Sequence, residues 1–348
     1  MDFFVDIWWV RWYSKTINNP QGREGEMIMK KMLALALAAM LVVSMVACAP
    51  VEKGSDKYVV GVCQLTPHVA LDAATEGFVA ALKAELGEDK VEVDVQMGGG
   101  DSATCAPIVN AFVSKNVDLI MANATPALQA AVAATSDIPV LGTSVTEYGV
   151  ALDIADFNGT VGGNVSGTSD LAPLAEQAQM VKEWFPDAKT VGLLYCSAEA
   201  NSKYQVDTVQ GYLEAMGMTC EKYAFADTND LQSVTQKAAD NSDVIYVPTD
   251  NAVASATGTV DGICQAAGVP VIAGEEGVAA GCGVATLSIS YYDLGYTTGK
   301  MAAKILKGEA DISTMPVEYA ENFTKKYNKD ICNALGLTPP EGYVAIGE

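Results

Sequence analysis

Hydroxyl, amide and carboxylate side chains recur in short loops that directly follow β-type runs of this chain. In an open α/β sheet the ligand site lies outside the carboxyl ends of the strands, so residues at these positions are the candidates for binding chemistry. The chain has one histidine, His68, and its only arginines are Arg11 and Arg23. A histidine-based metal site or a Ser-His-Asp triad would depend on His68 alone, so we expect no metal, no cofactor and no catalysis.

The loops of the first half offer neutral donors. Asn123 or Thr125 suits the N-cap of a helix with Pro126 in its first turn, and the N–H groups of such a helix start bind carboxylates without arginine. Taken singly, each loop is also explained by ordinary turn and capping chemistry. The candidate ligand-binding residues of this half are Gln64, Thr66, His68, Ser102, Asn123, Thr125, Thr143 and Ser144.

The loops of the second half are more acidic. Asp250 is either a helix cap or a charged partner for a ligand. Neutral donors on one lobe facing carboxylates on the other suit a zwitterion such as an α-amino acid, because a charge buried between lobes needs an opposite partner. The candidates here are Ser197, Glu199, Asn201, Ser202, Thr249, Asp250, Asn251, Glu275 and, near the hinge, Tyr291.

An alternation of strands and helices must position these loops, and it predicts parallel βαβ architecture. The alternation begins at Tyr58 and restarts near Lys189, so we predict an α/β fold with two doubly wound lobes in tandem. The predicted strands are 58–63, 91–97, 118–122, 139–142, 189–196, 219–226, 242–247, 269–273 and 283–290. The predicted helices of the second half are 200–216, 231–240, 251–267, 291–306 and 322–335.

The connection between the lobes is predicted to be a hinge. If the strand at 283–290 returns to the first lobe, the chain crosses between the lobes more than once. No Pro/Gly/Ser-rich linker of useful length separates the halves, which favours such a multi-crossover hinge over two domains on a flexible linker.

Charge and cysteines narrow the function further. The chain carries 21 basic and 43 acidic residues, so we do not expect nucleic acid as a partner. Every basic residue after Cys48 is a lysine, which removes the bidentate arginine clamp for carboxylate or phosphate. No two of the eight cysteines form a Cys-x-x-Cys pair, so we expect buried thiols, with Cys264 and Cys282 as the first pair to test for a disulfide.

The N-terminal region reads as an export signal. A basic pair precedes an apolar run that is shorter than the ~20 residues of a membrane-spanning helix, and Met45-Val46-Ala47-Cys48 resembles a bacterial lipobox with Met where Leu is usual. We predict a leader over 1–47, of which 1–26 is a mis-assigned start, lipid attachment at Cys48, and a tether over 48–57. An ordinary signal peptide or an uncleaved anchor is the alternative.

Four motifs resemble a known family. Asn-Ala-Thr-Pro-Ala at 123–127, Ser-Ala-Glu-Ala-Asn-Ser at 197–202, Pro-Thr-Asp-Asn at 248–251 and Ser-Tyr-Tyr-Asp-Leu-Gly at 290–295 are similar to those of ABC transporter substrate-binding proteins linked to tryptophan and tyrosine uptake. The resemblance extends from Tyr58 to about Ala345.

This resemblance implies a type I periplasmic-binding-protein fold with two flavodoxin-like lobes and three crossovers. It divides the chain into a lobe of 58–168 plus about 287–316 and a lobe of 169–286 plus about 317–348. It also implies a lipid-anchored monomer on the outer face of the cytoplasmic membrane that delivers a ligand to an ABC permease with its ATPase.

Carried over to this sequence, the resemblance assigns roles to individual residues. Thr125 and Ser144 would hold the ligand carboxylate and Asp250 its ammonium. Glu199, Asn201 and Ser202 would complete the second wall, while Gln64 and His68 would contact the ligand side chain. Tryptophan, tyrosine or phenylalanine needs flat apolar walls. The aromatic candidates for such walls are Tyr148, Phe157, Tyr195 and Tyr246.

Other functions stay open at this point. A nucleoside or a sugar is the alternative ligand on the same fold, and a lipoprotein that senses a ligand is the alternative to an importer. A hydrolase using Ser197 or Ser202 is disfavoured, because neither serine lies in a Gly-x-Ser-x-Gly elbow.

Overall fold

The structure is a computed structural model that describes residues 57–347. The predicted leader, the lipid-attachment residue Cys48 and all but the last residue of the predicted tether lie outside the described residues. Among residues 57–347, no helix has both the length and the apolar composition needed to cross a bilayer.

Strands and helices alternate through most of this region. The strands are β1 Tyr58–Gln64, β2 Val91–Met97, β3 Leu119–Asn123, β4 Val140–Val145, β5 Val165–Ser169, β6 Thr190–Cys196, β7 Thr219–Phe225, β8 Val244–Val247, β9 Val271–Ala273, β10 Ala285–Ser288, β11 Glu318–Tyr319, β12 Thr324–Tyr327 and β13 Val344–Ala345. The helices are α1 Val69–Leu86, α2 Ser102–Lys115, α3 Thr125–Ala134, α4 Tyr148–Ala151, α5 Leu174–Trp184, α6 Ala200–Ala215, α7 Thr228–Asn241, α8 Asn251–Ala254, α9 Thr257–Ala267, α10 Glu276–Cys282, α11 Tyr291–Leu306 and α12 Lys329–Leu335.

The strands form two sheets, one in each lobe. The first has the order β11-β5-β4-β3-β1-β2 and the second the order β13-β12-β10-β9-β8-β6-β7. All pairs are parallel except β10 with β12. The central strands are buried along their whole length, as in β3 and β4, because helices cover both faces of each sheet. The predicted α/β fold with two doubly wound lobes is confirmed.

The chain crosses between the lobes three times within the described residues. The first crossing follows β5, which pairs with β4, and leads to α5 on the second lobe. The second crossing follows β10 and leads to α11, which packs against α1 of the first lobe. The third lies between β11 and β12. Three separate segments therefore form the hinge.

The boundaries of these crossings differ from the prediction. The strand at Ala285–Ser288 pairs with β9 and β12 of the second sheet, so the helix after it, and not the strand itself, returns to the first lobe. Glu318–Tyr319 still pairs with β5 of the first sheet, so the last crossing follows about residue 319, whereas the prediction places it after about residue 316.

Local predictions also need correction at two places. The predicted helix at 322–335 is helical only over Lys329–Leu335, because Thr324–Tyr327 forms strand β12, which pairs antiparallel with β10 and parallel with β13. The predicted helix at 251–267 is interrupted at 255–256 and forms α8 and α9. Strand β5 was not predicted, because its sequence Val-Ser-Gly-Thr-Ser is polar although all five residues are buried.

Close contact between α1 and α11 fixes the hinge helix to the first lobe. A Cβ atom placed on Gly77 would lie 2.0 Å from the carbonyl oxygen of Tyr292, and one on Gly295 would lie 1.9 Å from that of Ala74. Only glycine therefore permits this approach of the two backbones.

The seven cysteines among residues 57–347 are free thiols. The suggested disulfide between Cys264 and Cys282 does not form. Both side chains are buried in the second lobe, where they pack as small apolar groups.

Candidate functional site

A small cavity, which we call the central cavity, lies between the lobes at the carboxyl ends of the strands. It has space of about 10 Å³, enough for about one water molecule. The central cavity by itself is therefore too small for a ligand as large as an amino acid. The lining residues are His68, Leu71, Ser144, Thr146, Asp170, Asn201, Thr249, Asp250, Asn251, Ala254, Glu275 and Tyr291.

A second cavity of about 390 Å³ also lies between the lobes and shares Asn251 with the central cavity. Small residues such as Ala198 and Ala252 form much of its wall, together with Pro126. It also contains Thr66, Ser102 and Glu199 from the sequence-derived candidates.

Glu199 and Asp250 are buried side by side after β6 and β8. Glu199 accepts hydrogen bonds from the side-chain amide of Asn251 at 2.5 Å and from the backbone N–H of Ala252 at 2.9 Å. Asp250 accepts from the N–H groups of Cys196 at 2.7 Å and Val253 at 3.0 Å, the second as the N-cap of α8. Both carboxylates are thus anchored by donors of their own lobe.

Two further acids complete the charged wall. Glu275 caps α10 by accepting from the N–H groups of Gly277 at 2.6 Å and Val278 at 2.5 Å. Asp170 follows β5 in the first crossing and accepts from the hydroxyl of Tyr291 at 2.9 Å. Its other oxygen, Oδ1, is buried without a hydrogen-bond partner.

Burial raises the pKa of all four acids. Desolvation, strengthened by the charge of Asp250, raises the pKa of Glu199 to about 8. Desolvation raises the pKa of Glu275 to about 7 and raises the pKa of Asp170 and Asp250. None of the residues that line the central cavity in the described chain is lysine or arginine. A ligand with positive charge would stabilise the ionised carboxylates.

The opposite wall presents neutral polar atoms. Ser144 adopts a left-handed backbone conformation with φ of 52°, and its Oγ is buried without a partner. Nδ1 of His68, on the same wall, and Oδ1 of Asn201, on the second lobe, are also buried without partners. Unsatisfied polar atoms of this kind are costly, and several around one cavity indicate a polar ligand.

The family assignment rests on most of the chain. Residues 59–346 match the family model described as ABC transporter substrate binding protein. The chain belongs to this family. Its members are extracytoplasmic proteins that bind a ligand and do not transform it.

Individual relatives of this substrate-binding protein have named ligands. A tyrosine-binding protein from Clostridioides difficile (strain R20291) is 33% identical over 322 residues, which cover 88% of this chain and 93% of the relative. The structure of an ABC domain from Streptococcus pneumonia in complex with L-Trp is 34% identical, with a TM-score of 0.79, over 83% of this chain and all of the other.

A third relative was solved without ligand. The ligand-free, open structure of a substrate-binding protein with adhesive properties from Clostridium difficile is 38% identical. It covers 83% of this chain and 99% of the other, with a TM-score of 0.63. Its superposition is thus poorer than that of the L-Trp complex although its sequence is more similar.

The structure brings some candidates of this substrate-binding protein to the central cavity and leaves others away from it. The candidates that line the cavity are His68, Ser144, Asn201, Thr249, Asp250, Asn251, Glu275 and Tyr291. Ser202 lies behind them and is a hydrogen-bond partner of Asp250. Ser197 is exposed and donates to the carbonyl of Phe225 instead.

Several candidates of the first lobe have structural partners. The amide of Gln64 bonds Asp72 at 2.6 Å and Thr75 at 2.7 Å, and Thr143 bonds Thr168 at 3.1 Å. Asn123 donates to the carbonyl of Leu71 at 2.8 Å. These side chains hold the first lobe together and do not line the central cavity.

The predicted helix cap at 123–125 is wrong. Ala124, with φ of 93°, is the N-cap of α3 and provides no side-chain hydrogen bond. Thr125 is buried with its hydroxyl unpartnered, but it does not line the central cavity.

The proposed aromatic walls are not at the cavity either. Tyr148 is buried in the first lobe, where it packs against Phe157 at 6.4 Å between ring centroids. Tyr246 is buried in the second lobe and donates to Gln177. Tyr195 belongs to the same core. Tyr291 is the aromatic residue that lines the central cavity.

Sequence reasoning missed Asp170, Thr146, Leu71 and Ala254, which also line the central cavity. Asp170 directly follows β5, so the rule about strand ends would have selected it if β5 had been recognised as a strand. Thr146 lies just beyond the end of β4 and was passed over in favour of its neighbours in the sequence.

Proposed function

We propose that this protein captures an α-amino acid with an aromatic side chain between its two lobes. It then delivers the amino acid to an ABC permease driven by an ATPase, and it does so while anchored to the membrane by lipid on Cys48. The observation that carries this proposal is the cluster of buried carboxylates at a cavity whose lining, within the described chain, includes no lysine or arginine.

The cluster favours a ligand with an ammonium group. Asp170, Glu199, Asp250 and Glu275 are each at most 3% exposed. Asp170, Asp250 and Glu275 line the central cavity, whose described lining has no lysine or arginine, so these three acids are costly to ionise and an ammonium at this place would offset that cost. A sugar or a nucleoside carries no ammonium, so its hydroxyl groups would hydrogen-bond the carboxylates without supplying the opposite charge that offsets their ionisation.

The neutral wall favours a carboxylate at the other end of the ligand. The hydroxyl of Ser144 is buried and has no partner, so it is free to donate. We assign the ligand carboxylate to this side of the cavity. Thr125 does not line the central cavity, so we assign it no contact with the ligand carboxylate.

The second cavity offers room for the ligand side chain. Its volume of about 390 Å³ adjoins the central cavity at Asn251, and small residues line much of it. The named relatives support an aromatic side chain, because one is a tyrosine-binding protein and another was solved with L-Trp.

The comparison of superpositions supports capture by closure of the lobes. The TM-score is 0.79 to the complex with L-Trp but 0.63 to the ligand-free, open relative. We infer that this structure has a closed arrangement of the lobes, which a ligand stabilises by binding it more tightly than the open one.

Calorimetric titration of residues 49–348 tests the ligand. We expect binding of tyrosine, tryptophan or phenylalanine and no binding of glucose, ribose or adenosine. A ligand at 100 times its Kd would stabilise the fold by about 2.7 kcal/mol, so thermal unfolding offers an independent readout. Binding of a nucleoside or a sugar, without any aromatic amino acid, would overturn the proposal.

The anchor is tested separately from the ligand. Mass spectrometry of the mature protein should detect a lipid-modified Cys48 as the first residue, and Cys48→Ser should release the protein from the membrane fraction. An unmodified Cys48 in membrane-free protein would remove the anchor and leave ligand capture intact.

A further inference from the structure

We propose that Asp170, at the hinge, is the residue that binds the ligand's ammonium group, in place of Asp250 on the second lobe. This inference rests on the proposed function, because it requires an amino-acid ligand. It assigns the positive end of the ligand to the pivot between the lobes.

The hydrogen bonds of the two aspartates differ. Asp250 accepts from the backbone N–H of Cys196 through Oδ2 and from that of Val253 through Oδ1, and Ser202 is a further partner. The hydrogen bonds of Asp250 therefore stabilise its own lobe, because they link the end of β6 to the start of α8. An ammonium would have to share oxygens that already accept strong donors.

Asp170 has a free acceptor. The carboxylate accepts from the hydroxyl of Tyr291 through Oδ2, and the hydroxyl of Thr146 is a further partner, while Oδ1 is buried and has no hydrogen-bond partner. The side chain lines the central cavity and is 3% exposed. A buried carboxylate oxygen without a donor is costly, and a charged donor from the ligand would satisfy it.

The surroundings of Asp170 favour an organic cation such as an ammonium group over a metal ion. Glu275 lies near enough for the charge of Asp170 to contribute to its raised pKa. Two acids that repel each other attract a positive group between them. Among residues 57–347, however, no three His, Cys, Asp or Glu side chains are arranged to hold a metal ion.

The position of Asp170 couples this contact to the hinge. Asp170 lies in the first crossing, and its partner Tyr291 begins α11 directly after the second crossing. An ammonium on Oδ1 would therefore contact a carboxylate that already ties two of the three crossings together. The ammonium group of the ligand would therefore bind at the hinge between the lobes.

The test compares amino acids with analogues that lack only the ammonium. L-Tyrosine and 3-(4-hydroxyphenyl)propanoate are titrated by calorimetry, the weaker one by competition, into the wild-type protein and into Asp170→Asn, Asp250→Asn and Tyr291→Phe. L-Tryptophan and 3-(indol-3-yl)propanoate form a second pair. Thermal unfolding without ligand establishes that each variant is folded.

The decisive quantity is the ratio of the analogue's Kd to the amino acid's Kd. We expect a ratio of about 30 or more in the wild type, because loss of one partner of a buried charge pair is that costly. The ratio should fall to about 3 or less in Asp170→Asn and stay high in Tyr291→Phe, which removes the hinge partner and keeps the carboxylate. It should also stay high in Asp250→Asn.

Two results would overturn the assignment while leaving the proposed function in place. One is a ratio in Asp170→Asn that equals the wild-type ratio. The other is a ratio that falls in Asp250→Asn and not in Asp170→Asn. If the wild type binds no aromatic amino acid at all, the proposed function fails and this assignment with it.

Discussion

His68 and Asn251 form a hydrogen bond across the cleft, with Nε2 of His68 3.2 Å from Oδ1 of Asn251. The amide of Asn251 donates to Glu199, so its oxygen faces the histidine, and Nε2 must be the donor. Burial lowers the pKa of His68, which favours the neutral ring. In that tautomer the unpartnered Nδ1 is an acceptor.

This contact should strengthen ligand binding by stabilising the closed arrangement of the lobes. Because one hydrogen bond contributes about 0.5–1.5 kcal/mol, we expect His68→Ala to raise the Kd of the amino acid about 3- to 10-fold. Calorimetry measures the change, with the exposed Ser136→Ala as control. An unchanged Kd in His68→Ala would mean that the bond does not contribute to closure.

The variant Ser144→Gly changes both the backbone preference and the hydroxyl at this position, and stability and ligand affinity report on the two changes separately. A non-glycine residue in the left-handed region costs roughly 1–2 kcal/mol, which Ser144→Gly removes together with the hydroxyl. We expect the ligand-free variant to be at least as stable as the wild type, yet to bind the amino acid about 10-fold or more weakly, since a hydrogen bond to a charged group is lost. Thermal unfolding and calorimetry measure the two effects. Equal affinity with raised stability would show that Ser144 serves the turn alone.

The buried acids predict a pH dependence of stability. In the folded protein the pKa is about 8 for Glu199 and about 7 for Glu275, whereas the ordinary value is 4.5. At pH values between 4.5 and these raised pKa values, the folded protein therefore binds more protons than the unfolded chain. The free energy of unfolding of the ligand-free protein should therefore fall as the pH rises from 6.5 to 8.0. His68 has the opposite effect, but only below its ordinary pKa of 6.5.

Glu199→Gln provides the control for this pH dependence. Its melting temperature should fall less between pH 6.5 and 8.0 than that of the wild type, because one titrating group is removed. Melting temperatures in buffers with small ionisation enthalpies measure both slopes. A wild-type melting temperature that rises over this interval contradicts the prediction.

Glycines on the facing helices α1 and α11 should not tolerate alanine. Because the added Cβ would lie within 2.0 Å of a carbonyl oxygen, we expect Gly77→Ala and Gly295→Ala each to destabilise the fold by about 1–3 kcal/mol or more. Gly211→Ala is the matched control, because it lies in α6 with no atom within 4 Å of the new methyl group. That variant should gain about 0.5–1 kcal/mol. Urea unfolding at equilibrium measures all three.

Much of the architecture followed from local pattern. Runs such as Leu-Ile-Met-Ala at 119–122 are apolar along their whole length, which is typical of parallel strands covered on both faces. The rule that ligands lie beyond strand ends then selected seven of the residues that line the central cavity, including Ser144 and Asp250. Because strand ends depend on local sequence, these positions could be read without coordinates.

The sequence by itself determined the two doubly wound lobes, the polar strand ends and a lysine-only basic content after Cys48. Only the tertiary structure decided which polar groups remain unpartnered. Gln64 and Asn123 are bonded inside the first lobe, whereas Asp170 keeps a free oxygen at the hinge. The physical reason is that hydrogen-bond satisfaction depends on which distant segments meet. The three crossings bring Asp170 and Tyr291 together across 121 residues, which no local periodicity encodes.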